Sequence, residues 1–176
     1  GLWEYYHENG KLEKTVTFKD GRKDGLWEYY HENGQVLRIG HYKDMTKDGL
    51  WEYYHENGQL LSKRHYKDGK AEGLWQTYYR LNGQLKEKGH YKDGTVDGLF
   101  EDYHENGQLR KKGHYKDGKE DGLWEYYHEK GKLEKTVTYK DGKEDGFWER
   151  IMRMLGLREL FMSMLGFWEL IISKFN

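Results

Sequence analysis

The amino-acid sequence repeats itself with a period of 24 residues, and this period limits the folds that are open to the chain. The tripeptide Gly-Leu-Trp, or a close variant of it, recurs in steps of 24, 24, 24, 25, 24 and 24 residues. The starting glycines are Gly1, Gly25, Gly49, Gly73, Gly98, Gly122 and Gly146. We number the six complete copies units 1 to 6. The pattern predicts tandem repeats with the start of a seventh over residues 1–149, and an off-pattern tail over residues 150–176.

Each unit has the pattern strand, turn, strand, turn. In unit 3 an aromatic-rich run over Leu50–Glu56 ends at Asn57-Gly58, and a second extended run over Leu60–Lys67 ends at Asp68-Gly69. Asn-Gly and Asp-Gly are dipeptides of tight hairpin turns, because both accept the positive φ angles that such turns require. Glycine recurs too often for a helix, and no apolar stripe of period 3.6 appears. We therefore predict one β-hairpin per unit.

The composition decides what the hairpins can build. Mean hydropathy is -1.17 and 35% of the residues are charged, yet 16% are Phe, Trp or Tyr. Because an aromatic side chain buries about 150–250 Å², the rings must supply most of the hydrophobic free energy. The chain has no proline, which suits continuous strand pairing. We predict an all-β fold, an elongated single-layer antiparallel sheet of tandem β-hairpins, with a short helical cap formed by the C-terminal tail.

Glycine is frequent at the sixteenth position of the units, in the middle of a predicted strand. The six copies carry Val16, Gly40, Arg64, Gly89, Gly113 and Val137 there. A glycine inside a strand is destabilising unless a neighbouring group covers its bare backbone. We therefore expect a Trp or Tyr ring to lie across these glycines. Replacement of Gly89 or Gly113 by Val without loss of stability would refute this hypothesis.

Unit 4 contains one extra residue, since GLWQTYYRLNG stands where unit 3 has GLWEYYHENG. One added residue before a turn reverses the face on which every preceding side chain lies. We predict a β-bulge near Gln76–Thr77 that restores Tyr78 and Tyr79 to their usual faces.

The repeated pattern resembles the membrane occupation and recognition nexus (MORN) repeat. The matching residues read Gly-Leu-Trp-Glu-Tyr-Tyr-x-x-Asn-Gly-x-Leu, then Tyr-Lys-Asp-Gly, then Gly-Leu-Trp again, and they recur six times over residues 1–149. The pattern looks most like the bacterial variant found in the YwqK-type antitoxin family. The resemblance implies an elongated, twisted, groove-bearing sheet and a protein-binding role, with membrane association in some eukaryotic relatives. Such a fold does not by itself identify the ligand.

The residue types that carry catalysis are either absent from the chain or recur at fixed positions of the repeat. Thirty basic and thirty-one acidic residues are interleaved, so that a net charge of -1 argues against nucleic-acid binding. Without cysteine the chain has no thiolate zinc site and no cysteine nucleophile. No phosphate-binding loop, nucleophile elbow or HExxH helix is present. We expect a non-enzymatic protein without a cofactor.

The nine histidines occupy two repeat positions. One set is His7, His31, His55, His104 and His128, and the other is His41, His65, His90 and His114. Equivalent residues of successive hairpins lie about 9–10 Å apart, too far to share an ion whose ligand bonds are near 2 Å. A cross-strand pair of histidines in one hairpin could bind a metal adventitiously. The Asp-Gly turns offer one acidic residue each, which turn geometry explains, and we expect no metal site.

Aromatic residues are the remaining candidates for a binding site. Alternation along the first strand of unit 3 places Trp51, Tyr53 and His55 on one face and Tyr54 on the other. In one interpretation the rings stabilise the thin sheet through cross-strand pairs. In the other they form an exposed row that binds a partner. Both interpretations are correct if each applies to a different face of the sheet. The candidate partner-binding residues are Trp27, Tyr29, Trp51, Tyr53, Trp75, Tyr78, Trp124 and Tyr126.

The tail over residues 150–176 is apolar, but charged residues interrupt it too often for a membrane-spanning helix. An amphipathic helix that caps the last strand, a membrane-surface segment and a self-association segment are all consistent with it. A frameshift within a seventh repeat is a further interpretation. Codons for Tyr-Tyr-Glu-Asn, read one base later, give the Ile-Met-Arg-Met of residues 151–154.

The function predicted from these observations is a scaffold that binds a protein or peptide partner across an aromatic sheet face. An antitoxin-like protein that sequesters a toxin is a special case. The alternative is an envelope-associated or secreted protein that binds glycans or lipids, and a purely structural spacer is a third hypothesis. Because the sequence starts at Gly1, on the first residue of a repeat, we interpret its N-terminus as truncated. The sequence therefore does not decide between the bacterial cytoplasm and the cell envelope as the location of the protein.

Overall fold

The computed structural model describes residues 1–146, 151 and 154–156. Within them the chain forms one antiparallel sheet of 13 strands in sequence order, so that each strand pairs with its neighbours along the chain. The strands are β1 Leu2–Tyr6, β2 Leu12–Lys19, β3 Arg22–Tyr30, β4 Val36–Lys43, β5 Thr46–Tyr54, β6 Leu60–Lys67, β7 Lys70–Tyr78, β8 Leu85–Lys92, β9 Thr95–Tyr103, β10 Leu109–Lys116, β11 Lys119–Tyr127, β12 Leu133–Lys140 and β13 Lys143–Glu144. The predicted single-layer sheet of tandem hairpins is confirmed.

The predicted helical cap is not shown, because nearly all of residues 150–176 lie outside the described residues. No helix in the described part of the chain is long and apolar enough to span a membrane.

The first strand of each hairpin lies earlier in the chain than predicted. In unit 3 the expected strand was Leu50–Glu56, whereas β5 spans Thr46–Tyr54. The difference arises because the residues directly after the aspartate turn already pair with the preceding strand, as Lys43 does with Thr46. At the other end His55 closes the next turn, its backbone N–H donating to the carbonyl of Gln59 at 2.9 Å.

The two turns of a unit have different geometries. At Asp68-Gly69 both residues have positive φ, 49° and 82°, as a tight two-residue hairpin turn requires. At Asn57-Gly58 only the glycine does, with a φ of 78°. Here the N–H of Gly58 donates to the carbonyl of His55 at 2.9 Å, and the Asn57 side chain accepts from the N–H of Gln59 at 3.1 Å. The expectation of positive φ at both residues of Asn-Gly is therefore wrong, because the longer loop needs one left-handed residue only.

The glycine that opens each unit has a conformational role that the sequence did not reveal. Val16 pairs with Trp27 and Phe18 pairs with Lys23, so three residues of β3 oppose Thr17 alone. Gly25 lies in this bulge with a φ of 98°. The equivalent glycines of units 3 to 6 also have positive φ, which side chains other than glycine adopt at a cost. The bulge therefore explains why Gly precedes Leu-Trp.

The extra residue of unit 4 lies in the turn. A register shift does occur between Thr77 and Tyr78, but units 1, 2, 3 and 6 have it at the equivalent place, so the prediction that a bulge near Gln76–Thr77 accommodates the extra residue is wrong. Thr77 pairs with Glu87 and Tyr78 with Leu85, which is the register of Tyr53 and Tyr54 in unit 3. The Gly83 N–H reaches back four residues to the Tyr79 carbonyl, where other units reach back three. The strand keeps its register because a shift would turn its buried side chains outward, whereas the exposed turn lengthens at little cost.

The Asn-Gly turns of successive units are joined by side-chain hydrogen bonds to the backbone. His7, His31 and His104 bond through Nε2 to the carbonyl oxygens of Tyr30, Tyr54 and Tyr127 at 3.2, 3.1 and 2.9 Å. Asn9, Asn33, Asn82 and Asn106 donate to the carbonyls of Glu32, Glu56, Glu105 and Glu129. These bonds form a ladder along one edge of the array, and they give three histidines of the first set a structural role.

The ladder is interrupted between units 3 and 4. The Nε2 atom of His55 is buried and has no hydrogen-bond partner within the described residues. The longer turn of unit 4 puts Tyr79 at the histidine position, where its hydroxyl donates to the carbonyl of Tyr103 at 2.7 Å. The inserted residue thus leaves the strands intact but breaks one contact between units.

Candidate protein-binding face

One face of the sheet carries the third, fifth and eighteenth residue of each unit, which are mostly aromatic, and we call it the aromatic face. In units 1 to 3 its buried centre is Val16, Trp27 and Trp51, surrounded by Phe18, Tyr29, Tyr42, Tyr53 and Tyr66. No second layer covers this face within the described part of the chain, where the one sheet is the only layer. The rings therefore shield one another.

The tryptophans lie flat on the strand that precedes them. A Cβ atom placed on Gly40 or Gly113 would overlap the indole of Trp51 or Trp124. On Gly89 it would lie 3.0 Å from Cδ2 of Phe100. The hypothesis that rings cover the mid-strand glycines is confirmed, with Phe in place of Trp or Tyr at the third site. A hydrogen bond of 3.0 Å from Trp51 Nε1 to the His41 carbonyl holds the indole in this orientation.

This packing contradicts the expected row of exposed tryptophans. Trp27, Trp51 and Trp124 are 4%, 0% and 0% exposed, while Trp75 is half-buried. Trp3, on the first strand, is 59% exposed. An indole that bends over the preceding strand becomes part of the sheet's own core and offers no surface to a partner.

The predicted tyrosines divide between the two faces. Tyr29, Tyr53 and Tyr126 are half-buried and share the aromatic face with the tryptophans. Tyr78 takes the register position of Tyr54, so it lies on the opposite face, and Thr77 stands on the aromatic face in its place. Placing Tyr78 with the partner-binding residues followed from the wrong position of the extra residue, and the structure corrects it.

The sequence interpretation missed the tyrosines at the eighteenth position. Tyr42 meets Trp51 edge to face, with ring centroids 5.2 Å apart and planes at 87°, and Tyr115 meets Trp124 at 5.1 Å and 84°. Burial raises the pKa of both hydroxyls. Their recurrence in Tyr-Lys-Asp-Gly, next to the turn, was the available signal. These rings brace the tryptophans from the side.

Four cations of units 1 to 3 also lie on the aromatic face. The Nζ atoms of Lys23 and Lys47 are 4.8 and 4.4 Å from the ring centroids of Trp27 and Trp51. The guanidinium carbons of Arg38 and Arg64 are 3.9 and 4.4 Å from the rings of Tyr29 and Tyr53. These are distances at which cation–π attraction operates.

On the same face in units 4 to 6 some cations stand beside carboxylates, while Lys135 lies 4.9 Å from the ring centroid of Tyr126 without an ion pair among the described residues. Arg110 forms an ion pair with the buried carboxylate of Asp102, and Lys111 lies 3.9 Å from Glu120. Glu87 stands at the position that Arg38 occupies in unit 2. By contrast Lys23, Arg38, Lys47 and Arg64 make no ion pair with any carboxylate of the described residues. The aromatic face therefore has a basic half and a half in which some cations are paired with carboxylates.

The surroundings of Lys47, in the basic half of the face, change its pKa. Burial lowers the pKa of Lys47, and the neighbouring guanidinium groups of Arg38 and Arg64 lower it further, against an opposing effect of Tyr66. The Lys47 ammonium donates to the hydroxyl of Tyr53 at 2.7 Å. Lys47 thus stands close to two further cations at the surface of the ring cluster.

The opposite face, which we call the polar face, repeats a cluster of Glu, Tyr and Lys. Lys63 lies 2.9 Å from Glu52, and Lys112 lies 2.7 Å from Glu125. In each cluster a tyrosine two residues after the glutamate donates to the same carboxylate. Hydrogen bonds from lysine, followed by tyrosine, lower the pKa of Glu125, and the Lys63 hydrogen bond lowers that of Glu52. These carboxylates are occupied by structural partners.

Neither face assembles a metal site in the part of the chain that the structure describes, where no group of three or more His, Asp or Glu residues is placed to hold a metal ion. The described surface instead combines aromatic rings with unpaired cations over a sheet of tandem hairpins. These features define a repeat protein whose sheet face is a candidate for binding.

The chain belongs to the family of the MORN repeat variant, whose model matches residues 1–20, 23–44, 47–68, 71–93, 96–117 and 120–141. MORN repeats are in general protein- or membrane-interaction repeats. No curated protein matches the chain. The crystal structure of TarM is similar over 60% of this chain and 21% of that one, with 10% sequence identity and a TM-score of 0.36. A likeness of that size carries no argument about function.

Proposed function

We propose that the protein is a non-enzymatic scaffold that binds a protein partner across the aromatic face. The observation that carries the proposal is the set of half-buried tyrosines and arginines on a sheet face that no second layer covers among the described residues. Tyr and Arg are among the residue types that contribute most of the binding energy at protein interfaces. Sequestration of a toxin, as in the antitoxin family that the repeat resembles, is one form of this function.

The buried tryptophans change how the partner makes contact. Trp51 holds Tyr42 and Tyr53 in place, with ring centroids 5.2 and 6.4 Å away. A partner therefore touches the tyrosine edges and the long basic side chains, while the indoles keep the surface rigid. Rigid aromatic anchors lose little conformational entropy on binding.

Two matched pairs of tyrosines test the proposal. Tyr29 and Tyr53 lie on the aromatic face, whereas their chain neighbours Tyr30 and Tyr54 lie on the polar face and are equally half-buried. In a pull-down followed by titration with the recovered partner, the Tyr29→Ala/Tyr53→Ala variant should lose about tenfold or more in affinity. The Tyr30→Ala/Tyr54→Ala variant should bind as the wild type does. Circular dichroism confirms that both are folded, and equal loss by the two variants would refute the aromatic face as the binding surface.

A further inference from the structure

We infer that the basic half of the aromatic face binds an extended acidic segment of a partner protein, with carboxylates at every third residue. This basic patch consists of Lys23, Arg38, Lys47 and Arg64 with the rings beside them. The inference rests on the proposed function and names the chemical class of the partner.

The first argument is charge. Several other cations on the sheet have a near carboxylate, as Lys63 has Glu52 and Lys112 has Glu125. The four cations of the basic patch have no such partner in the described residues, although acidic residues outnumber basic ones in the chain. The Nε atom of Arg38 is moreover buried without a hydrogen-bond acceptor. Carboxylates brought by a partner would supply the missing counter-charges.

The second argument is spacing. Lys23 on β3 and Lys47 on β5 occupy the same position of successive units. They are two strands apart, or about 9.6 Å at the usual strand separation. In a polyproline II helix, every third residue lies on the same side at intervals of about 9.3 Å. Carboxylates placed three residues apart on such a segment match the repeat of the sheet.

The third argument is shape. The ring of Tyr53 lies between Lys47 and Arg64, and Arg64 also stacks on Trp75 at 4.1 Å. Alternating rings and cations across the strands make a shallow aromatic-lined surface, which is the kind of surface that polyproline II segments bind. With a net charge of -1 the whole chain has no general attraction for polyanions. Recognition therefore depends on the local match between patch and peptide.

Fluorescence anisotropy with labelled synthetic peptides tests the inference on the full chain. The probe contains four Glu-Pro-Pro triplets. One control replaces each Glu with Gln, and a second has the same composition with its four glutamates placed consecutively. We expect the probe to bind about tenfold more tightly than the glutamine peptide and more tightly than the block peptide, and to weaken as salt rises from about 50 to about 300 mM. Equal binding of probe and glutamine peptide would overturn the inference.

Variants of matched chemistry locate the site. Lys47→Gln and Arg64→Gln should each weaken probe binding by about threefold to tenfold, whereas Lys63→Gln and Lys112→Gln, on the polar face, should leave it unchanged. Thermal unfolding shows that each variant is folded, and the salt and peptide comparisons on the wild type do not depend on any variant. A decrease with Lys63→Gln as large as that with Lys47→Gln contradicts the placement on the aromatic face.

Two further measurements separate the partner classes and the two proposals. Single-stranded DNA of twelve nucleotides and phosphatidylglycerol vesicles serve as other polyanions, and binding to either as tight as to the probe overturns the assignment to a peptide. If the probe fails to bind while capture of a protein partner still depends on Tyr29 and Tyr53, the acidic-segment inference is wrong and the proposed function stands. If that dependence is lost as well, both are wrong.

Discussion

Single residues decide whether the indoles of the aromatic face can lie flat. The sixteenth residue of one unit lies under the third residue of the next, so the two positions must fit each other across strands. Gly40 and Gly113 leave room for indoles that are 0% exposed, and Gly89 lies beneath the smaller ring of Phe100. Val16 also supports Trp27, with 4% of the indole exposed, so the position tolerates a side chain in unit 1. Within the described residues, the fit between neighbouring side chains buries the rings that a second layer would bury in an ordinary sheet.

Addition of a methyl group should therefore have unequal effects at two otherwise equivalent glycines. Gly113→Ala places a Cβ atom within the indole of Trp124 and should lower the free energy of unfolding by about 1–3 kcal/mol. Gly89→Ala meets Phe100 at 3.0 Å, which a small ring movement relieves, and should cost less. Urea denaturation followed by tryptophan fluorescence measures both values. Equal stability of the two variants would count against packing of the ring as the cause.

Met45 is a residue in a conformation that suits glycine. Its φ is 75°, and it stands where Gly21 and Gly69 have φ values of 76° and 82° in the equivalent turns. A left-handed conformation costs a residue with a Cβ atom about 1–2 kcal/mol. We expect Met45→Gly to raise the free energy of unfolding by about 1 kcal/mol, while the reverse change, Gly69→Met, lowers it by a similar amount. Chemical denaturation of both variants checks the pair, and a destabilising Met45→Gly would contradict it.

Carboxylates of the polar face make the stability of the sheet depend on pH. The pKa of Glu52 is lowered by the hydrogen bond from Lys63, so the folded state holds this carboxylate charged to a lower pH than the unfolded state does. Its contribution to stability is present above the ordinary value of 4.5 and is lost as the pH falls through the lower, folded value. Glu125 behaves in the same direction because of Lys112 and Tyr127.

The free energy of unfolding should therefore fall as the pH is lowered from about 6 to about 3, and Glu52→Gln/Glu125→Gln should reduce the slope. Glu105→Gln, on an exposed turn, is the matched control and should leave the slope unchanged. Urea titrations at several pH values supply the measurement. A double variant with the wild-type slope would show that other groups determine the acid response.

At the scale of the hairpin, the elements are joined through turns as well as through strand pairing. The asparagine of each Asn-Gly turn accepts a hydrogen bond within its own turn, and in four units it also donates to the next unit. Asn57 makes only the first of these bonds, since the next Asn-Gly turn along the chain is the longer one. The chain therefore contains its own comparison between an asparagine that joins two units and one that does not.

That comparison gives a prediction for the bond between units. Asn106→Ala removes the bond to the Glu129 carbonyl at 2.7 Å and the bond from the Gln108 N–H at 2.9 Å. Asn57→Ala removes only the bond within the turn. Asn106→Ala should therefore destabilise the protein by about 0.5–1.5 kcal/mol more than Asn57→Ala does. Thermal and urea unfolding of both variants measure the difference, and equal losses would mean that the bond between units contributes no net stability.

The hairpins were predictable from sequence because their signals are local. Dipeptides such as Asp68-Gly69 predict a turn, and alternation along Trp51 and Tyr53 predicts a face. The covering of Gly40 could also be anticipated, since an uncovered glycine is unfavourable within a strand. The position of the extra residue in unit 4 could not be predicted, because it depends on whether a strand or a turn accommodates the residue at the lower cost in free energy. The burial of the tryptophans depends on contacts between units, which no single unit contains.

Across the whole molecule, a repeat array is stable only as far as each unit holds its neighbour. The junction between units 3 and 4 combines several unfavourable features. His55 Nε2, Gln59 Oε1 and Thr77 Oγ1 are buried there without hydrogen-bond partners among the described residues. Trp75 lies over Arg64 instead of a glycine and is only half-buried. The strands β6 and β7 still pair in the common register, so the weakness lies in side chains.

Native-state hydrogen exchange should reveal this junction as the place where the array opens first. Backbone amides that pair β6 with β7 should exchange about tenfold faster than those that pair β10 with β11, because buried polar groups without partners cost about 1–3 kcal/mol each and opening hydrates them. Deletion of Leu81, which is 86% exposed, together with Tyr79→His gives unit 4 a turn of the common length. This variant should restore the bond from His55 and slow exchange at the junction. Uniform exchange across all junctions of the wild type, or no change on deletion, would mean that pairing of the strands alone sets the stability of the array.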